Sequence, residues 1–570
     1  MPRLIWSPVK YRKFSIGDII ILLFIGSIIY SIATLNTIYS KPTQQIDLDL
    51  SPLKLPLYAI FSLIRMIFAY IISLIFTIVY AYAAAYKKNL EKILIPLLDI
   101  FQSIPVLSFL PPVFMAVISL FPGSKIGLEI TSIILIFTGQ VWNMVFSFYQ
   151  SLISIPRDLR EAAKLLKLNP WQRFWNLELP YAAIGLIWNS MMSWAGGWFF
   201  LMACEMFTLT NQNFVLPGIG SYLSFSAIKG DLTKIFYGLF TLIIVIILLD
   251  QLVWRPLLAW GQKFKIEFIQ DEETYESRVL LWYRRSRILE FIKNHISDPL
   301  KERLNQFFVR YYTEKVLKTQ NTSILPKIFN IIVSTFIGLL ILRGAFGLLN
   351  LLIKLPISAW IEIINAGILT FLRVSLAVII ALLWTLPLGV KIGMNPKLSK
   401  IFQPIVQIVA SIPATAIFPV IVMYLLNLPG GLNLASIILM LLGTQWYLLF
   451  NIIAGGMSIP KDLIEVAKLL KLNRKEQWKI LILPSILPYL VTGGITAMGG
   501  AFNASIVSEY IEFQNKVIKI KGLGALITEA SSTGNNALLA GSTITMAIMV
   551  VTINRLFWKR LFKKSEELLS

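Results

Sequence analysis

Long apolar runs constrain this chain more than any other feature of its sequence. A bilayer core about 30 Å thick is crossed by about 20 mostly apolar helical residues. The runs here are continuous and do not alternate with polar residues, so they predict helices and not the strands of a closed barrel. Twelve spans are predicted, near 16–35, 57–86, 95–120, 130–153, 179–206, 234–254, 325–349, 359–390, 402–426, 433–456, 481–508 and 536–557.

Composition supports the same class of protein. The chain is 56% hydrophobic and 14% charged, whereas globular chains are about 45–50% apolar and about 25% charged. Cys204 is the single cysteine and His295 the single histidine, so neither a disulfide nor a cysteine or multi-histidine metal site is expected. The predicted fold class is therefore an all-α polytopic membrane protein without a metal centre.

The distribution of positive charge predicts the orientation. The formal net charge is +22, which in a membrane protein is typical of basic cytoplasmic loops and does not call for nucleic acid. Lys87, Lys88 and Lys92 fall on one side, and the opposite loop 121–129 carries only Lys125. Both termini are basic, so both are predicted to be cytoplasmic. The first run is expected to be a retained span, because no small-residue cleavage site follows it.

The chain also contains an internal repeat. Residues 154–169 and 458–473 are identical at thirteen of sixteen positions, with an offset of 304, and upstream pairs such as Arg65 and Arg373 keep an offset of 308. Each copy has an even number of predicted spans, so both copies cross the membrane in the same direction. We predict two parallel six-helix repeats at 1–258 and 324–570, joined by a cytoplasmic helical connector at 259–323.

The repeated loop at 154–169 and 458–473 predicts a short amphipathic helix. Ser154 and Ser458 are candidate N-caps, and a stripe of leucine and alanine recurs at helical spacing. Asn169 and Asn473 suit a left-handed turn after the helix. A single such loop fits an interfacial helix on the lipid surface equally well, but two nearly identical copies favour a docking surface for a paired partner.

At these residues the chain resembles a known family. Glu161-Ala-Ala163 followed by Leu179-Pro180, and Glu465-Val-Ala467 followed by Leu483-Pro484, resemble the EAA loops of binding-protein-dependent ABC importer permeases. The wider pattern is similar to the nitrate, sulfonate and taurine branch of that family, including its duplicated anion-permease type. The resemblance covers both membrane halves but not the connector.

Two departures from the family pattern affect the loops. The glycine usual at the turn is Lys167 and Lys471 here, which predicts a turn displaced toward the asparagines, and Val466 replaces an alanine. The residues that the resemblance implies for coupling are Asp158, Glu161, Ala162, Ala163, Lys167, Asp462, Glu465, Val466, Ala467 and Lys471.

The resemblance also implies partners and a location. It implies a prokaryotic cytoplasmic (inner) membrane protein that couples to two cytoplasmic ABC ATPase subunits and receives substrate from an extracytoplasmic substrate-binding protein. The chain lacks a G-x-x-x-x-G-K-[ST] motif, so ATP–Mg is expected on the partner ATPase and no cofactor or enzymatic activity is expected here. An ion-coupled secondary transporter with parallel repeats is the alternative.

The fifth span of each repeat is the predicted pathway lining, because it combines small residues with a carboxylate. Close helix packing explains the glycines equally well. The carboxylates are expected to act in gating or structural pairing, and the arginines either pair with them or attract an anion. The candidates are Arg65, Trp194, Gly196, Gly197, Glu205, Arg373, Gly499, Gly500, Asn503, Ser505 and Glu509.

Overall fold

Helices account for most of the described chain. The computed structural model describes residues 48–103, 105–121, 125–209, 212–264, 279–280, 294–295, 298–318, 325–459, 461–513, 516–558 and 560–561. Seven of the described helices are long and apolar enough to cross a membrane, or eight if one bent pair forms a single span. The predicted span at 16–35 lies outside the described residues, so the count of twelve stays a prediction.

The first repeat contains ten helices and a hairpin among the residues that the structure describes. Its elements are α1 (Leu55–Tyr86), α2 (Lys88–Ser103), α3 (Leu110–Leu120), α4 (Lys125–Ile153), α5 (Arg157–Leu165), α6 (Pro170–Arg173), α7 (Leu179–Glu205), β1 (Met206–Leu209), β2 (Gln212–Val215), α8 (Ile219–Ile228), α9 (Leu232–Leu249) and α10 (Arg255–Gly261). The connector contributes α11 (Asp298–Lys318).

The second repeat begins with α12 (Leu325–Ile353), and the corresponding part of the first repeat lies outside the described residues. Its elements are α13 (Ile357–Gly393), α14 (Pro396–Ser411), α15 (Ala414–Leu425), α16 (Gly431–Met457), α17 (Lys461–Leu469), α18 (Arg474–Glu476), α19 (Leu483–Ser508), β3 (Tyr510–Phe513), β4 (Lys516–Lys519), α20 (Leu523–Thr533) and α21 (Asn536–Ile553). From α1 to α9 and from α13 to α21, the described elements of the two repeats follow the same order.

Proline breaks the third predicted span of each repeat. In the first, α2 ends at Ser103 and Pro105 precedes a 3-10 turn, Val106–Phe109, before α3 begins. In the second, α14 and α15 are separated at Pro413 and meet at 73°. The break follows from the missing N–H of proline and the steric demand of its ring.

Two short antiparallel hairpins interrupt the helices, a feature that the sequence analysis did not predict. Met206 pairs with Val215 in the first hairpin, and Tyr510 pairs with Lys519 in the second. Each hairpin begins directly after the fifth span of its repeat. It therefore joins that span to the next helix, α8 or α20.

The two repeats pack through reciprocal contacts. Helix α7 of the first repeat contacts the broken pair α14 and α15, and α19 of the second contacts α2 and the turn at Val106–Phe109. Trp198 and Phe502, which are fully buried, belong to one apolar core that extends across both repeats. This exchange is what a pseudo-twofold axis along the membrane normal produces, and it places the fifth and third spans around a shared centre.

Candidate functional site

Helix α5, the first repeated loop, exposes two carboxylates and a small residue. Asp158, Glu161 and Ala162 are exposed, whereas Ala163 is buried against the protein. The helix begins after Pro156, which occupies the N-cap position without a side-chain cap. One face of a two-turn helix is therefore available to a partner, and the other is fixed.

Hydrogen bonds link α5 and the turn before it to the spans on either side. The Nη2 atom of Arg160 donates to the carbonyl oxygens of Leu152 and Ile153, at 2.9 and 3.0 Å, near the end of α4. Tyr181, near the start of α7, donates its hydroxyl to the carbonyl of Ser154 at 3.2 Å. A displacement of this loop is therefore transmitted by hydrogen bonds to α4 and α7.

Helix α17 repeats this surface in the second repeat. Asp462, Glu465 and Val466 are exposed and Ala467 is buried. Val466 thus adds a branched apolar side chain at the position where α5 has an exposed alanine. The two helices share the two exposed carboxylates and differ in shape at this position.

The turn after each helix is made by lysine, which corrects one prediction. Lys167 and Lys471 have φ of 51° and 50°, the left-handed region that favours glycine. In the first loop Lys167 N–H donates to the Lys164 carbonyl and Leu168 N–H to the Ala163 carbonyl, the pairing of a Schellman motif. The turn is therefore not displaced toward the asparagines.

The asparagines instead begin the next helix. Asn169 Oδ1 accepts from the Gln172 N–H at 2.8 Å, and Gln172 Oε1 accepts from the Asn169 N–H at 3.1 Å. Asn473 and Glu476 form the same capping box. The prediction of an N-cap at Ser154 is also wrong, because its hydroxyl donates to the carbonyl of Ser151 in α4.

The predicted apolar stripe is buried only in part. Ala163 and Ala467 are buried and Leu159 is half-buried, but Leu166 and Leu470 at the end of the stripe are exposed. The Schellman turn carries these leucines away from the packed face. They add apolar area to the surface that a partner meets.

A glycine at the lysine turn is expected to stabilise it. In the Lys167→Gly variant, loss of the unfavourable left-handed lysine stabilises the turn by roughly 1 kcal/mol. Hydrogen exchange of the amides in 157–168 should therefore slow by about fivefold, as measured by mass spectrometry. Lys164→Gly, in the last turn of α5 itself, is the matched control and is expected to accelerate exchange, because glycine weakens a helix. Equal exchange in both variants would contradict the assignment.

A central cavity of about 130 Å³ lies between the repeats. Corresponding positions of the two fifth spans line it at helical spacing. From the first repeat these are Met192, Ala195, Gly196 and Phe199, and from the second they are Thr496, Gly499, Gly500 and Asn503. Of the predicted pathway residues, the cavity therefore includes Gly196, Gly499, Gly500 and Asn503.

The lining of the cavity is uncharged and contains hydrogen-bond donors. Gln102 and Asn143 are hydrogen-bonded to each other at 3.1 Å (Nε2 to Oδ1) in the first repeat, and Tyr447 lies opposite. Asn503 Oδ1 accepts from the Leu107 N–H at 3.3 Å, which links the second repeat to the 3-10 turn of the first. The cavity can therefore hold a small polar solute without supplying a charge.

Three other predicted pathway residues pack in the core. Trp194 stacks edge-on with Tyr70 at 5.6 Å, and a side chain at Gly197 would collide with Gln140. Ser505 is fully buried, and its hydroxyl donates to the carbonyl of Phe502 at 2.7 Å. The structure places these residues away from the cavity lining.

The remaining charged candidates form a buried polar cluster in each repeat. In the first, Glu205 Oε1 accepts from Ser62 Oγ at 2.6 Å and from Arg65 Nη1 at 2.7 Å, and Oε2 accepts from the Gly220 N–H at 2.7 Å. Arg65 Nε and Nη2 also bind both carboxylate oxygens of Glu129, at 2.6 and 2.7 Å. The first polar cluster thus joins α1, α4, α7 and α8.

The second polar cluster repeats this geometry. Glu509 Oε1 accepts from Thr370 Oγ1 and from Arg373 Nη1, both at 2.8 Å, and Oε2 accepts from the Gly524 N–H at 2.8 Å. Asn433 accepts from Arg373 Nε at 3.0 Å in the place that Glu129 has in the first repeat. One carboxylate is therefore replaced by an amide, and the second polar cluster is less negative by one charge.

Glycine lets each carboxylate approach the backbone. A Cβ at Gly218 would overlap the carboxylate of Glu205, and one at Gly522 would overlap that of Glu509. Both carboxylates are 0% exposed, so neither is solvated. Of the two alternatives for the arginines, the structure contains the ion pair.

Sequence reasoning missed the other polar members of the two clusters. Glu129 and Asn433 keep the offset of 304, and Thr370 corresponds to Ser62 at the offset of 308. A comparison of the two copies position by position could therefore have found them, although they differ in residue type.

The comparisons with known proteins agree with this arrangement. Curated relatives include the nitrate import permease protein NrtB of Synechococcus elongatus, 28% identical over 189 residues (33% of this chain, 63% of that protein). The bicarbonate transport system permease protein CmpB of Synechocystis sp. is 32% identical over 143 residues (25% and 48%). The taurine transport system permease protein TauC of Escherichia coli is 25% identical over 173 residues (30% and 59%). The chain spans about half to just under two thirds of the length of these relatives.

A family model matches the chain twice. It is described as the binding-protein-dependent transport system inner membrane component, and it covers residues 78–253 and 385–557. One match falls in each repeat, and together they cover more than half of the chain. The chain therefore belongs to the family of inner membrane components of binding-protein-dependent transport systems and carries its domain in duplicate.

Proposed function

We propose that this chain is the fused membrane-spanning subunit of an ATP-driven importer for a small anion. The observation that carries the proposal is the pair of short helices α5 and α17, which occupy equivalent loops of a duplicated family domain and expose Glu161 and Glu465. Two equivalent surfaces fit two copies of one partner. A cavity between the two repeats supplies a route for the substrate.

The partners in this proposal are two cytoplasmic ABC ATPase subunits, each holding ATP–Mg and each docking on one short helix. Exposed Ala162 permits close approach, and Glu161 can pair with a basic residue of the ATPase. Closure of the ATPases brings α5 and α17 together. Arg160 and Tyr181 pass that movement to α4 and α7, so the repeats rock and the cavity opens to alternate sides.

The orientation follows from the same docking. The loops that bear α5 and α17 face the cytoplasm, which places both termini on that side, and an extracytoplasmic substrate-binding protein delivers the substrate to the opposite face. This arrangement agrees with the basic residues near α1 and α2, Lys87, Lys88 and Lys92, because cytoplasmic loops are enriched in lysine and arginine.

A small anion is the substrate class that the cavity and the relatives support. The cavity of about 130 Å³ is well below the roughly 300–1,000 Å³ of pockets for drug-sized ligands. Amide and hydroxyl donors from Gln102, Asn143 and Tyr447 can replace part of the hydration shell of an oxyanion. Without a fixed positive charge the anion is held weakly enough to leave, as transport requires. Nitrate, bicarbonate and taurine, named for the relatives, are the solutes to test first.

Charge reversal at both short helices tests the proposal. We expect Glu161→Lys combined with Glu465→Lys to lower ATP-dependent uptake at least tenfold and to weaken co-purification of the ATPase, because two acidic contacts become repulsive. Uptake of labelled nitrate, bicarbonate and taurine is measured in vesicles that contain the full complex. Glu302→Lys, an exposed charge reversal on α11, is the control and should leave uptake unchanged.

Two outcomes would contradict the proposal. Normal ATP-dependent uptake by the double variant would exclude α5 and α17 as coupling elements. Uptake that continues without any ATPase and follows an ion gradient would instead identify an ion-coupled secondary transporter.

A further inference from the structure

Helix α11 of the connector is anchored on the first repeat through aromatic stacking. The ring of Phe308 stacks on Trp171 of α6, with centroids 4.2 Å apart and planes at 19°. Trp171 also packs edge-on against Trp175 at 5.5 Å, and Trp175 is partly exposed. These two indoles provide a platform for the connector helix.

The platform exists in one repeat only. With the offset of 304, the positions of Trp171 and Trp175 correspond to Lys475 and Lys479 in the second repeat. A lysine ammonium offers no ring to stack on, and two of them would repel the basic connector. The sequence therefore directs α11 to the first repeat.

The anchor point lies at the level where membrane spans begin and end. Two residues after Trp171, the guanidinium of Arg173 lies 4.7 Å from the centroid of the Tyr86 ring. Tyr86 is the last residue of an apolar span, Pro52–Tyr86, and α7 begins at Leu179, shortly after Trp175. Tryptophan and tyrosine are enriched at this depth, the interface between hydrocarbon and water.

An exposed apolar stripe runs along α11 beside its packed face. Leu300, Leu304 and Phe307 are 55%, 39% and 61% exposed, and their spacing places them on one side of the helix. Tyr311 continues the stripe and stacks on Phe307 with centroids 6.5 Å apart. Phe308 lies about 80° around the helix from this stripe, taking about 100° per residue.

Two arginines flank the stripe on the side away from the protein. Arg303 and Arg310 are exposed and seven residues apart, so they share one face, about 60–80° from the stripe by the same helical geometry. An apolar stripe bordered by basic residues is typical of helices that lie in a membrane interface and attract anionic lipid. The position of Trp171 near the ends of the spans and the basic residues beside the stripe both favour the lipid interface as what the stripe contacts.

We propose that α11 is a membrane-surface helix that inserts Leu300, Leu304 and Phe307 into the leaflet beside the first repeat and binds anionic phospholipid headgroups through Arg303 and Arg310. The inference rests on the placement of the chain in a bilayer and is independent of whether transport uses ATP. It gives the two repeats unequal surroundings, because α11 lies on lipid beside α6, next to the short helix α5 of the first repeat.

Spin labels on the full chain test this placement. Cys204, the single cysteine, is buried and is first replaced in Cys204→Ala. Phe307→Cys then carries the label on the stripe, and Gln306→Cys carries it one residue earlier on a different, exposed face. In vesicles containing phosphatidylglycerol we expect the ratio of oxygen to nickel-complex accessibility to be at least threefold higher at 307 than at 306.

A second set of variants tests the role of charge. Arg303→Glu with Arg310→Glu should lower the ratio at 307 in phosphatidylglycerol vesicles to the value found in pure phosphatidylcholine vesicles. Equal ratios at 306 and 307 would place the stripe in water and overturn the proposal. Protection of position 307 that arises only when an ATPase subunit is added would overturn it in favour of a protein partner. Uptake assays do not enter this test, so failure of the proposed function would leave its result unchanged.

Discussion

Replacing Arg65 or Arg373 by alanine is expected to destabilise the fold by roughly 3 kcal/mol, the cost of leaving a buried charge without its partner. Glu205 and Glu509 are 0% exposed and each accepts one guanidinium hydrogen bond, at 2.7 and 2.8 Å. Without the arginine the carboxylate has no route to water. Thermal unfolding of the full chain in nanodiscs, followed by tryptophan fluorescence, measures the effect.

Glu129→Asn is the matched control for that experiment. The Glu129 side chain is 40% exposed, and Asn433 already occupies the corresponding position in the second repeat. Partly exposed ion pairs contribute little, so this variant should unfold close to the wild-type temperature. A large loss from Glu129→Asn, or none from Arg65→Ala, would contradict the view that the fully buried carboxylates dominate.

A double-mutant cycle separates charge from hydrogen bonding in the second polar cluster. Arg373→Met is expected to be destabilising, and adding Glu509→Gln should recover at least half of the loss, because the amide is neutral and still accepts from the Gly524 N–H. A double variant that is less stable than Arg373→Met would show that the cluster acts through its hydrogen bonds and not through charge. With either result, the second polar cluster connects the end of the fifth span, α19, to the start of α20.

The sequence could predict these ion pairs because each repeat is a second observation of the same contacts. Arg65 and Glu205 recur as Arg373 and Glu509, and a charge inside an apolar span needs a partner. The recurrence of both charges in the second copy thus favours an ion pair, which a single copy could not have done. The helical breaks at Pro105 and Pro413 follow from a simpler rule, since the effect of proline on a helix is local.

The lysine turns show where local rules fail. Left-handed backbone favours glycine or asparagine, and Asn169 is the nearest such residue after α5. However, Asn169 is also the only good N-cap for α6, and its capping box with Gln172 uses its side chain. The chain places Lys167 in the left-handed conformation instead. Two helix ends compete for one asparagine, and a prediction made one element at a time cannot weigh that competition.

The rotation of the fifth spans was also beyond sequence reasoning. Helix α7 is apolar on all sides, so its pattern does not show which face meets the cavity and which meets the core. Gly196 lines the cavity and Gly197, one residue later, packs against Gln140. Packing against residues distant in sequence decides between them, namely Gln140 beside Gly197 and Tyr447 of the other repeat beside Gly196.

Filling the central cavity is expected to abolish uptake while leaving the fold intact. Gly499 lines the cavity, and a Cβ there would meet the Gln102 carbonyl oxygen at 3.7 Å, an ordinary van der Waals contact. Gly499→Ala should therefore be tolerated. Gly499→Leu instead places a branched side chain of four carbon atoms in a cavity of about 130 Å³.

Uptake in vesicles of the complete complex measures the result, with ATP hydrolysis by the partner followed in parallel. We expect Gly499→Leu to reduce uptake to the level of vesicles without protein and the unfolding temperature to stay within a few degrees of the wild type. Gly338→Leu on α12, where a new side chain meets no atom within 4 Å, is the control and should transport normally. Normal uptake by Gly499→Leu would show that the solute does not pass between Gln102 and Asn503, and the route would then have to lie outside the interface of the two repeats.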